Sequence, residues 1–234
     1  VIARAVRVFI RETECRKLYP DITLDLENVK FSNDIAFLLE ETEPKNLPFN
    51  RDIRNVGLTV RSFGNCDEYI ECMKKVIAYI VESGACVHIF QQVAMDNEPD
   101  NQCAEAIVGS LTKDIRSGVV YHKEHFLPQE LKWTYGNMDY FIGTRLHSTI
   151  FAMAAGTITI GMVYHGTKAQ GVFDNLGLRE LIVDNPVTFE KIKEKIEYIE
   201  KNREVLKSRL TIGTERAKED ARNAVCEIVK LAQN

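Results

Sequence analysis

From Asn55 onward the chain alternates short apolar runs with amphipathic stretches, and that rhythm admits few folds. Val56 to Val60 is an apolar strand that ends at Arg61. A helix follows in which Tyr69, Ile70, Met73, Val76, Ile77 and Ile80 recur at helical spacing, and Gly84 stops it. Ala85 to Gln91 is the next strand, the polar loop Asp96 to Asp100 leads into a helix through Leu111, and Gly118 to His122 is a third strand. A shorter helix around Pro128 to Tyr135 precedes a strand at Asp139 to Thr144. A helix of small residues from His147 to Ala155, a strand at Thr157 to Tyr164, a helix ending near Gly177 and a strand at Leu181 to Val183 come next. Two charged helices, about Val187 to Lys207 and Glu215 to Ala232, close the chain. Repeated β-α units of this kind imply an α/β fold, a Rossmann-like parallel sheet with helices on both faces. Thr157 to Tyr164 is apolar almost throughout, as a strand covered on both sides must be.

Residues 1–50 break the rhythm. Val6 to Arg11 alternates like a strand, Thr13 to Leu18 reads as a short helix, and Asp34 to Leu39 is a further apolar element. The acidic, proline-containing run from Glu40 to Asn50 reads as a linker. We therefore expect a partial first domain and linker at 1–50 and the main domain at 51–234.

Ligands of open parallel sheets bind beyond the carboxyl ends of the strands. The stretch Gly143 to Gly156 puts Arg145 and His147 at such an end, where a strand gives way to a helix. Amide N–H groups at a helix start attract anions. Arg145 adds a forked cation and His147 a group that exchanges a proton near neutral pH. Gly143 lets backbone approach closely, and Ser148 adds a hydroxyl in the first helical turn. Either Arg145 or His147 alone reads as an ion pair or a core histidine; their pairing favours an anion site. Lys168, at a helix start, brings a second cation or is a solvated surface lysine. Arg61 ends a buried strand and needs a partner or a ligand. Tyr164 and His165 end another strand. Arg11 and Glu12 read as a structural ion pair, His88 as a hydrogen-bonded core histidine, and His122 and His125 as surface residues.

The formal charge of −4, with no dense basic run, argues against nucleic acid as a partner. Six cysteines without metal-like spacing read as free thiols in a reducing, cytoplasmic setting. No apolar run reaches the roughly 18 residues of a membrane span, which leaves peripheral membrane association open. No Gly-x-Gly-x-x-Gly, Gly-x-Ser-x-Gly or Walker pattern appears, and no metal-ligand cluster stands out.

Gly143, Arg145, His147, Ala152 to Gly156, Thr157 to Tyr164, Lys168 and Gly177, in that order, resemble the signature of the polysaccharide pyruvyl transferase family. Val8 to Glu12, Asp34 to Leu39 and Val56 to Arg61 resemble its other segments, with Cys15 where serine is common and Ile35 where proline is common. The resemblance implies transfer of a pyruvyl group from phosphoenolpyruvate to a sugar of a cell-surface polysaccharide, free or lipid-linked, with ketal formation and no added cofactor. It implies His147 as the proton-transfer residue. Arg145, Lys168, Arg61, Gly143, Ser148 and Tyr164 would then hold the substrates. The family resembles two-domain glycosyltransferases of the GT-B type, so this chain reads as the C-terminal half of such a fold plus a remnant of the first. Alone it is expected to be weakly active or inactive. The alternatives are a nucleotide-sugar glycosyltransferase, for which Asp184 and Glu190 make no evident ribose-binding pair, and a non-catalytic anion-binding domain.

Overall fold

The computed structural model describes residues 4–12, 14, 27–45, 50, 52–61, 66–95, 98–163 and 168–233. Six parallel strands form the main sheet: β3 (Asn55–Thr59), β4 (Cys86–Phe90), β7 (Val119–His122), β8 (Tyr140–Gly143), β9 (Thr159–Val163) and β10 (Ile182–Asp184). Their spatial order is β10-β9-β8-β3-β4-β7. The chain thus starts in the middle, builds outward through β4 to β7, returns, and builds outward the other way through β8, β9 and β10. The reversal lies between β3 and β8, where Val56, Gly57 and Leu58 pair with Tyr140, Phe141 and Ile142.

Connections are helical, as the sequence rhythm requires. They are α1 (Cys66–Glu82), α2 (Asp100–Ser110), the short α3 (Lys113–Ser117), α4 (Pro128–Gly136), α5 (Leu146–Ala154) and α6 (Lys168–Asn175). Helix α1 buries the predicted face, with Met73, Val76 and Ile77 fully enclosed against Val56, Leu58, Val87 and Ile89. On the opposite face Phe90 and Phe141 pack with Leu131 and Tyr135 of α4 and Phe151 and Ala152 of α5. The sheet therefore carries helices on both faces. The segment read as a polar loop holds a small antiparallel pair, β5 (Ala94–Met95) and β6 (Glu98–Pro99), ahead of α2.

Two expectations need correction. The closing helices are one element, α7 (Phe189–Ala232), 44 residues long, with a kink at Asn202. Gly213, inside α7, is its contact point with the end of α6, since a Cβ there would come within 2.8 Å of Leu176 backbone. Polar side chains of α7 also close the carboxyl ends of other helices. Lys207 Nζ donates to the Gly156 carbonyl at 2.6 Å, Arg209 Nη1 to the Gly177 carbonyl at 3.1 Å, and Arg216 to the Asn175 carbonyl.

The second correction concerns Arg11. Its described partner is Asp34, with Nη1 donating to Oδ2 at 2.6 Å. Asp34 caps a 3-10 turn, Ile35–Leu38, by accepting from the Ala36 amide. Phe37 from this turn is 1% exposed and belongs to the large core. Strand β1 (Val8–Ile10) pairs in parallel with a short strand not read from the sequence, β2 (Val29–Phe31). The predicted Thr13 to Leu18 helix lies almost wholly outside the described residues. No described helix is long and apolar enough to cross a membrane.

Candidate functional site

At the reversal point the ends of β3 and β8 are tied together. The Thr144 amide donates to Thr59 Oγ1 at 3.2 Å, and Thr144 Oγ1 donates to the Thr59 carbonyl at 3.1 Å. Ser148 Oγ lies 3.0 Å from Thr59 Oγ1 and 2.7 Å from the Arg145 carbonyl, to which it donates. This lattice explains where Ser148 sits. It is fully buried beneath the helix start and does not line the opening above it. Gly143 is needed in the same place, because a Cβ would lie 2.4 Å from Thr149 Cγ2.

Above this floor is a cleft of about 370 Å³, toward the small end of the roughly 300–1,000 Å³ range of small-molecule sites. Arg61 enters it from β3, Gly143 to His147 from the β8–α5 junction, and Lys168 from the first residue of α6. The structure thus brings together five of the residues singled out by sequence: Arg61, Gly143, Arg145, His147 and Lys168. Tyr164 lies outside the described residues. Arg145 is the N-cap of α5 and makes no side-chain capping bond, and Leu146 and His147 of the first turn line the cleft.

The cations are not equivalent. Arg145 is 13% exposed, and its guanidinium grips Asp100 with two bonds, Nε to Oδ2 at 2.8 Å and Nη2 to Oδ1 at 2.7 Å. Lys168 is exposed and Arg61 half-buried. Arg61, Arg145 and Lys168 all line the cleft, and Asp100 pairs with the Arg145 guanidinium. His147 is 53% exposed, with Nε2 4.0 Å from Asp34 Oδ2, beyond hydrogen-bond distance. Sequence reasoning missed Asp100, since an aspartate opening a helix reads as an ordinary cap. Gln92 was also missed; it lines the cleft and accepts from the buried Tyr135 hydroxyl at 3.1 Å.

Two strands away, His122 is buried rather than exposed. It is the last residue of β7, and its ring stacks on Phe90 with centroids 4.4 Å apart. The Asn55 amide nitrogen donates to the carbonyls of Asn50 and Ile53, which turns its oxygen toward His88 Nε2 at 2.9 Å. His88 must therefore donate through Nε2 and accept through Nδ1 from His122 Nε2 at 3.1 Å. His122 Nδ1 then meets Glu124 Oε1 at 3.1 Å, a contact that needs one shared proton. Burial, and next the adjacent His122, push His88 down to about 4. Burial also lowers His122. His88 is thus the satisfied core histidine expected from the sequence. Among the described residues no group of three or more metal-ligating side chains converges.

Comparison with known proteins adds two findings. The chain is similar in fold to a glycosyltransferase from Rickettsia africae, with a TM-score of 0.61, 8% identity and coverage of 97% of this chain and 64% of that one. It is also similar to S. aureus TarM (0.57, 16%, covering 98% and 44%) and to WaaG, a glycosyltransferase of lipopolysaccharide biosynthesis (0.55, 11%, covering 93% and 61%). These neighbours have the GT-B fold, and the chain spans 44 to 64% of their lengths. No curated protein matches it. The family model for polysaccharide pyruvyl transferase matches residues 1–166, well over half of the sequence, with β8 and the start of α5 inside that span. On that match, the chain belongs to the polysaccharide pyruvyl transferase family.

Proposed function

We propose that the cleft is the donor site of a pyruvyl transferase that takes phosphoenolpyruvate and acts on a saccharide acceptor. The observation that carries this reading is the convergence of Arg61, Arg145 and Lys168 on one small opening that also contains the start of α5 and His147. Phosphoenolpyruvate bears a phosphate and a carboxylate on a three-carbon frame. Its recognition calls for several fixed cations and N–H donors within a short span, which this cleft supplies.

The chemistry follows from the groups present. An acceptor hydroxyl adds to C2 of the enolpyruvyl group, the methylene carbon takes a proton, and the hydroxyl gives one up. The C2–O bond to phosphate then breaks, and inorganic phosphate leaves with the electron pair. A second hydroxyl closes the ketal at C2 and releases its own proton. His147, half-exposed at the cleft wall, handles one of these transfers, a contribution of about 10²–10⁴-fold for general acid–base catalysis. The cations and the helix start hold the departing phosphate.

Isothermal titration of the chain with phosphoenolpyruvate, beside a UDP-sugar control, tests the reading. Saturable binding of phosphoenolpyruvate, weakened in Lys168→Ala and Arg61→Ala, is the expected result. Binding of the UDP-sugar alone would replace the proposal with glycosyl transfer.

A further inference from the structure

The central cation of the cleft is held by a carboxylate that comes from another part of the fold. Asp100 opens α2, and its side chain is 2% exposed. Its two oxygens take the Nε and Nη2 edge of Arg145 at 2.8 and 2.7 Å. Oδ2 also accepts from the Val93 amide at 3.2 Å. One carboxylate at the start of α2 thereby joins two pieces of the cleft wall, the β8–α5 junction and the segment after β4.

We propose that Asp100 is the positioning residue of the anion site. It fixes Arg145 by one edge of the guanidinium and so sets the plane in which that group meets a phosphate-bearing ligand. The name of the ligand rests on the donor reading above; the geometric claim covers any small phosphate. Two effects oppose one another here. As a charge, Asp100 repels an anion, and its removal takes one negative charge away from Arg145. As a brace, it removes the rotamer freedom of a long side chain before the ligand arrives. The brace dominates for two reasons. The charge of Asp100 is already matched by that of Arg145, so a ligand meets a paired group rather than a bare carboxylate. In Asp100→Asn, by contrast, the amide nitrogen would face an arginine N–H, donor against donor, at one of the two bonds.

The two effects predict opposite signs. Calorimetric titrations with phosphoenolpyruvate and, separately, with inorganic phosphate compare the unaltered chain with Asp100→Asn. Thermal melting checks that each protein is folded. The expected result is binding about ten- to a hundredfold weaker in Asp100→Asn, the scale of a misplaced contact. Arg145→Lys keeps the cation and cannot form the two-bond pair, so it is expected to lose as much; it remains informative if Asp100→Asn fails to fold. Binding as tight as that of the unaltered chain, or tighter, in both variants overturns the proposal. If phosphate binds and phosphoenolpyruvate does not, the donor reading falls while Asp100 is still judged from the phosphate series. If neither binds the unaltered chain, both fall.

Discussion

The sheet holds two polar regions, one running across β3, β4 and β7 and one at the carboxyl ends of β3 and β8, and they use the same kinds of side chain in opposite ways. Around β4 and β7, Asn55, His88, His122 and Glu124 form a line in which each hydrogen bond is consumed by a neighbour. Around β3 and β8, Arg145 is braced from behind by Asp100, and His147 stands half-exposed at the wall of an open cleft. The first arrangement specifies a core. The second sets Arg145 and His147 on the lining of an open cleft. The difference teaches that a histidine or an arginine at a strand end does not by itself mark a site; what separates the two regions is whether the side chain lines an opening or is enclosed among its partners.

That contrast can be broken, most strongly at the brace. Arg145→Ala leaves the Asp100 carboxylate buried without its cation, a change that costs about 3–5 kcal/mol in comparable pairs. A thermal melt should show it as the largest loss of the set, and a loss under 1 kcal/mol would mean that the pair is solvated. His88→Leu comes next. It strands the Asn55 oxygen and one His122 nitrogen in the interior, at about 1–3 kcal/mol for each unsatisfied group. Denaturant titration measures this, and a neutral result would show that the line of hydrogen bonds is dispensable.

The same region carries a pH signature with a definite sign. The unfolded chain protonates His88 near its ordinary value of 6.5, while the folded chain resists until about 4. The unfolded state therefore binds more protons across this window. Stability is fully present above about 6.5 and declines as pH falls toward 4. In His88→Gln the slope between those values should flatten; an unchanged slope would assign it to other groups. The smallest effect belongs to the cleft histidine. His147→Gln should shift stability by no more than about 0.5 kcal/mol, as exposed substitutions usually do, while the proposed pyruvyl transfer falls by about 10²–10⁴-fold. A large stability loss in His147→Gln would erase the distinction between the two regions.

Much of the fold was legible because its strands are short, apolar and separated by helices of clear period. What was not legible depended on contacts distant in sequence. His122 was read as exposed because Lys123 and Glu124 follow it, yet the two-residue period of β7 turns its ring inward. Ser148 was read as a ligand group from its place beside His147, but the helical period aims it at Thr59 instead. The closing segment was read as two helices, whereas Gly213 lets one continuous helix pass close to Leu176. Asp100 pairs with a residue 45 positions later, and no local pattern announces such a partner. The Arg145 and His147 spacing was visible, whereas the unequal burial that separates their roles was not.

The bonds from Lys207, Arg209 and Arg216 to the far ends of α5 and α6 have a mechanical consequence. Both helices are pinned at the rear and present their opposite ends to the cleft, so each is a lever with a fixed fulcrum. A ligand that draws Lys168 toward the start of α5 loads those pins. Behind them runs α7, about 66 Å of helix at 1.5 Å per residue. Its amides near the pins would then exchange with solvent at a rate set by the occupancy of an opening on the other side of the molecule.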